Sequence, residues 1–133
     1  MKIAVDFDGT VCLHEYPDIG EEVPFAIYWL KRFQDAGAKL ILFTMRSDSD
    51  KAGPVLTQAV QWLESRGINL YGINTDPDQK SWTASPKAYA NKYIDDAAAG
   101  CPLRQSAKVG GRSFVDWAIV GPMVMEEIER KKV

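Results

Sequence analysis

Apolar residues recur along this chain in two rhythms, short unbroken runs and longer stretches spaced three and four apart. Ile3, Ala4 and Val5 form the first run, which ends in Asp6-Phe7-Asp8-Gly9-Thr10. A brief apolar run closed by a turn residue predicts a buried strand delivering its acids at the carboxyl end. Lys39 to Phe43 repeats the pattern and closes on Thr44. Ile68 to Ile73 is a weaker strand, and Tyr93-Ile94-Asp95-Asp96 is a fourth that again ends in acids. Between these runs the spacing turns helical. From Pro24 to Ala36 it is carried by Phe25, Ile27, Tyr28, Leu30 and Phe33, and over residues 54–66 by Val55, Leu56, Ala59, Val60 and Leu63. Pro24 suits a first helical turn, and Gly37 and Gly67 suit the stops. Residues 11–23 are irregular and residues 74–86 read as a loop with two prolines. A short helix is expected from Pro86, a turn at Gly110-Gly111, and a final amphipathic helix from about Pro122 to Lys131.

Strand and helix in alternation imply parallel strands with helical crossovers, an α/β layered sheet. In such sheets ligands gather beyond the carboxyl ends of the strands. The pattern puts Asp6, Asp8, Thr44, Asp95 and Asp96 at that rim. Composition then narrows the class. The 133 residues suit one domain, 1–133, and 46% hydrophobic content excludes a disordered chain. Two cysteines exclude a disulfide scaffold, and Cys12 and Cys101 read as reduced thiols. No apolar run approaches the ~18 residues of a membrane span. Sixteen basic against eighteen acidic residues give a net charge of −2, which offers nucleic acid no general electrostatic footprint. A cytoplasmic protein is expected.

The rim carries the chemistry. Asp6 and Asp8 are two apart, so an extended segment sends both side chains the same way. Crowded carboxylates repel unless a cation or shared proton intervenes. With Asp95 and Asp96 at an equivalent strand end, a hard divalent ion is the simplest compensation, and all-oxygen ligation points to Mg2+. His14, the one histidine, reads as a loop or surface residue rather than a ligand. A carboxylate can also act as nucleophile, forming an aspartyl phosphate that water hydrolyses. That chemistry needs a second carboxylate to move a proton, a metal, a hydroxyl and a further cation. Asp6 and Asp8, Asp95, Thr44, and Lys87 or Lys80 could fill those places.

In these residues the chain resembles the haloacid dehalogenase-like (HAD) superfamily of phosphohydrolases. The Asp-x-Asp-x-Thr motif after a hydrophobic strand matches Asp6-Phe7-Asp8-Gly9-Thr10, the hydroxyl closing a second strand matches Thr44, and the paired acids match Asp95-Asp96. The resemblance covers residues 1–96. It implies a Rossmann-like three-layer sandwich with a mostly parallel sheet, the strand before Asp95 beside the strand before Asp6, and that one beside the strand before Thr44. It implies a magnesium-dependent phosphoric monoester hydrolase with Asp6 as nucleophile, Asp8 as general acid/base and Asp95 as direct metal ligand. The Asp8 carbonyl would be a further ligand, and Asp96 would act through water. Phe7, Gly9 and Thr10 would belong to the phosphate-binding segment. The superfamily lysine matches Lys87 in spacing, eight positions before Asp95, although Pro86 precedes it and Asn91 replaces an aspartate. Lys80 is the alternative.

Arg46 could contact the phosphate or a leaving group, or pair with Asp48 or Asp50 at the surface. The first gap, residues 11–23, has room for a flap and the connection at residues 67–86 for a strand and loop, so no separate cap domain is expected. An open site suits a large phosphorylated substrate, or a small one enclosed by another subunit. Other readings stay open: a non-catalytic phosphate- or partner-binding module on the same fold, or a phosphotransferase. A response-regulator receiver is disfavoured, because its middle strand would have to end in an acid and here ends in Asn74 and Thr75.

Overall fold

The computed structural model of the chain describes residues 1–132. Its centre is a four-stranded parallel sheet in the order β3-β2-β1-β4, built from β1 (Lys2–Val5), β2 (Lys39–Leu42), β3 (Leu70–Ile73) and β4 (Lys92–Ile94). Ile3 and Val5 register with Leu40 and Leu42, so all four side chains share one face of the pleat. That face is buried by α1 (Ala26–Asp35), α2 (Val55–Ser65) and α3 (Trp117–Lys131), whose Leu30, Phe33, Ala59, Leu63, Trp117, Val120, Val124 and Ile128 join the same core. Both expected glycine stops hold. The Ala38 N–H reaches the Phe33 carbonyl and the Ile68 N–H the Leu63 carbonyl, so α1 and α2 each end in a Schellman turn around Gly37 and Gly67. The first helix starts at Ala26 rather than Pro24, because Phe25 takes a left-handed conformation, φ 67°.

The third layer is unusual. Moving from β1 to β2 to β3 shifts the chain one way across the sheet, with α1 and α2 on one face. Returning from β3 to β4 on the far side of β1 must use the opposite face if the crossover is right-handed. Residues 74–91 make that crossover with a single 3-10 turn, Gln79–Ser81, and no α-helix. The short helix expected from Pro86 is absent, because side chains already satisfy its backbone. The buried Gln79 carboxamide donates to the Ser85 and Lys87 carbonyls at 3.1 and 2.9 Å, and accepts from the Asp76 and Tyr89 N–H groups at 3.1 and 2.8 Å. The Tyr93 hydroxyl accepts the Ala90 N–H and donates to the Ala88 carbonyl. Ala4 and Ile41, on this second face, are buried. Gln79→Ala would strand four backbone groups at about 1 kcal/mol each before relaxation. The variant should therefore lose roughly 2–4 kcal/mol in urea unfolding; a loss below ~0.5 kcal/mol would show that the crossover holds itself.

The tail adds elements the apolar pattern did not show. β5 (Leu103–Arg104) pairs antiparallel with β6 (Phe114–Val115), and the expected turn at Gly110-Gly111 lies in the loop between them. α3 begins at Trp117, five residues before the expected start at Pro122. Asp116 caps it by accepting the Ala118 N–H. Gly121 is required inside the helix, since a Cβ there would stand 2.3 Å from the Trp29 ring. Pro122 forgoes only the N–H that would have met the carbonyl of exposed Ala118. The structure is thus a Rossmann-like α/β fold. Among the described residues neither connection holds a separate domain, and no helix is long and apolar enough to cross a membrane.

Candidate active site

The carboxyl ends of β1, β2 and β4 converge as the strand order requires, and an open cleft of about 490 Å³ lies beyond them. Asp6, Asp8, Thr44, Asp95 and Asp96 all line it. One carboxylate oxygen from each of Asp6, Asp95 and Asp96 lies within 4.8 Å of the others. Burial, then the charge of Asp95 and a hydrogen bond with Asp96, push the Asp6 carboxyl up to about 8 against a small opposing pull from the Phe7 N–H. Such crowding of hard oxygens fits a divalent cation. The Asp8 side chain is outside this cluster.

The turn after β1 is braced from the tail. Gly9 takes φ 82°, and a Cβ on it would lie 2.0 Å from His14 Nε2 and 2.4 Å from Asp96 Oδ2. Only glycine leaves room for these two side chains, which meet at 2.9 Å. The Gly9 carbonyl accepts the Val115 N–H, and the Thr10 carbonyl accepts the indole N–H of buried Trp117 at 2.7 Å. Thr10 is fully buried; its hydroxyl donates to Asp6 Oδ2 at 3.1 Å and accepts the Asp96 N–H at 3.1 Å. It therefore locks the β1 acid to the β4 acids. Asp95 Oδ1 accepts the Ala97 N–H at 2.9 Å.

Thr44 is placed by a residue the sequence left unassigned. Asn74 adopts φ 58° beyond β3, and its side-chain oxygen accepts the Thr44 N–H at 2.8 Å. The Thr44 hydroxyl in turn accepts the Arg46 N–H, which leaves its own proton to donate into the cleft. An asparagine directly after a strand, tolerant of a left-handed conformation, was the available signal.

Several expected contacts go elsewhere. Arg46 is not a surface residue pairing with Asp48 or Asp50, and it is among the residues that line the cleft. It is buried, and its guanidinium grips Asp8 through two hydrogen bonds of 2.8 Å. Asp48 instead accepts the Leu56 and Thr57 N–H groups at the start of α2. Phe7 is buried in the core, edge-on to Trp62, and the Gly9 N–H donates to the Cys12 carbonyl. The side chains of Phe7 and Thr10 and the Gly9 N–H are thus engaged in building the turn. Neither Lys87 nor Lys80 lines the cleft; both are exposed, and Lys87 Nζ sits 5.1 Å from the centre of the Tyr93 ring. His14, read as a loop residue, does lie in the loop but is mostly buried and lines the cleft with Tyr16. From the tail, Arg112 completes the wall. Nothing in the local pattern around Arg112 marked it. Burial and the Asp8 charge push the Cys12 thiol up to about 12, which keeps it inert.

No protein-family model matches the chain, and no curated protein does either. Among solved structures it is similar to a conserved protein from Bacteroides thetaiotaomicron, at 39% identity over 96% of this chain and 91% of that one, with a TM-score of 0.71. Identity at that level over nearly the full length of both chains reflects common descent, and the chain belongs to the family of this conserved Bacteroides thetaiotaomicron protein.

Proposed function

We propose that the protein is a magnesium-dependent phosphohydrolase of the HAD-like type, acting through an aspartyl phosphate on Asp6. The observation that carries the reading is the triad of Asp6, Asp95 and Asp96 oxygens within 4.8 Å, at the mouth of an open cleft shared with Thr44 and Asp8. Asp6, Asp95 and Asp96 would hold the ion, which when bound would neutralise phosphoryl oxygens and permit an anion to be attacked by a carboxylate. The residues divide the remaining work. Thr10 aims the Asp6 carboxylate at phosphorus. Thr44 donates its hydroxyl proton to a phosphoryl oxygen. Asp8 delivers a proton to the departing oxygen as the phosphorus–oxygen bond breaks, then takes one from the water that cleaves the aspartyl phosphate.

The lack of a lysine in the cleft lining favours, as a second reading, a module that binds a phosphorylated ligand without turning it over. One structure separates the two. With magnesium and beryllium trifluoride, the adduct is expected on an Asp6 carboxylate oxygen. An adduct on Asp8, Asp95 or Asp96 would overturn the nucleophile, and a free fluoride complex with no bond to any aspartate would favour the binding module.

A further inference from the structure

Arg46 is the most heavily engaged side chain near the cleft. Its Nε–H donates to Asp8 Oδ2 and one Nη2–H to Asp8 Oδ1, both at 2.8 Å. The other Nη2–H meets the Asp18 carbonyl at 2.9 Å, and Nη1 donates to the Pro17 and Val55 carbonyls at 3.3 and 3.1 Å. A guanidinium has five N–H donors, so none is left for a ligand. The group is 2% exposed and lies between the rings of Phe7 and Tyr16, 5.0 and 5.2 Å from their centres. A buried cation persists only when its charge and donors are matched. Here one carboxylate and three carbonyls match them.

Those carbonyls come from places the chain would not otherwise hold together. Residues 11–23 fold back on themselves through the Val23 N–H to the Val11 carbonyl and the Leu13 N–H to the Glu21 carbonyl. Pro17 and Asp18 lie beyond that short ladder, at its tip, and Val55 opens α2. The tip also carries His14 and Tyr16, which face the cleft. The guanidinium therefore sets where Asp8 points and, together with the His14–Asp96 contact, where one wall of the cleft stands.

We infer that Arg46 is a positioning residue that joins Asp8 to the flap of residues 11–23 as one unit, and that it makes no contact with substrate. The kinetic part rests on the phosphohydrolase reading; the coupling itself does not. A lysine cannot reproduce it, because one ammonium cannot span both Asp8 oxygens and the flap carbonyls. Any ligand that shifts the flap would turn Asp8, so flap occupancy and proton transfer are linked.

Nitrogen-15 NMR of the unaltered protein gives the first test. The Arg46 Nε–H should exchange with water at least about tenfold more slowly than that of exposed Arg130, and should keep its shift when magnesium and inorganic phosphate are added. Fast exchange, or a large shift with phosphate, would overturn the assignment. In Arg46→Gln and Arg46→Lys, hydrogen exchange at the Leu13 and Val23 amides should accelerate about tenfold or more while the Phe43 amide, bonded to the Val5 carbonyl, stays protected. Unchanged flap protection would sink the coupling. With p-nitrophenyl phosphate, kcat should fall about 100-fold with KM within about threefold. A raised KM at unchanged kcat would mark Arg46 as a substrate contact instead. If the unaltered protein turns over no phosphoester, the phosphohydrolase reading fails, and the exchange measurements still decide the coupling. If neither variant folds, the NMR of the unaltered protein decides it.

Discussion

Asp6→Asn is expected to abolish phosphoester turnover, by at least about a thousandfold in kcat, because an amide cannot supply the attacking oxygen. The same substitution should make the metal-free protein more stable, which is the opposite of a disrupted fold. Asp6 is pushed up to about 8 by burial and by Asp95 and Asp96, while an unfolded aspartate titrates near ~3.9. Between those values the folded state binds the extra proton, so stability falls as pH rises from about 4 to about 8 and then levels. Asparagine is spared that loss and can still accept the Thr10 hydroxyl. At pH 8 without metal, its melting midpoint should exceed that of the unaltered protein by roughly 5 °C or more, shrinking toward zero near pH 4. Retained turnover would remove Asp6 as nucleophile. A variant less stable at pH 8 would show that the acids are not repelling one another.

Magnesium removal is the second large effect. Excess chelator should reduce turnover to background, and magnesium added back should raise the melting midpoint as binding stabilises the folded state by about 2.7 kcal/mol at a hundredfold excess over Kd. The shift should vanish in Asp95→Asn, which removes one of the three clustered carboxylates. It should survive in Asp8→Asn, because the Asp8 side chain is outside that cluster and already satisfied by Arg46. Turnover that persists in chelator would end the metal assignment. Equal magnesium stabilisation of Asp95→Asn would move the ion elsewhere. Loss of the shift in Asp8→Asn would mean that the Asp8 carboxylate, and not only its carbonyl, serves the ion.

These two results matter together because the cleft is acidic and one of its two arginines is already paired. Arg46 is paired with Asp8, and Lys87, which spacing favoured, and its alternative Lys80 lie outside the lining. On the proposed reading, a bound ion would compensate the charge at Asp6. Arg112, from the β5–β6 hairpin loop, is the cation on the wall for which no ion pair is found among the described residues.

Much of the architecture was legible from residue order. Ile3-Ala4-Val5 and Lys39–Phe43 are short apolar runs that can be stable only when covered on both faces, and Gly37 and Gly67 end their helices as their backbone freedom predicts. What failed was local in a different way. The segment after Pro86 has a helical start signal, yet Gln79, seven residues earlier, and Tyr93, seven later, take its backbone groups. Gly121-Pro122 looks like a break until Trp29 is placed against it. Propensity describes a segment alone; these outcomes were decided by partners distant in the chain.

The same division holds at the site. Sequence by itself determined that four acids and a threonine end their strands at one rim, because strand ends in a parallel α/β sheet point the same way and pleat geometry fixes which side chains follow. Only the tertiary structure decided which of them act together. It drew Asp95 and Asp96 to Asp6 through Thr10, withdrew Asp8 to Arg46, brought His14 onto Asp96 across 82 residues, and buttressed the first turn with Trp117 across 107. Hydrogen-bond partners are chosen by where chains cross and by which buried donors remain unmet, and neither quantity exists until the core has closed.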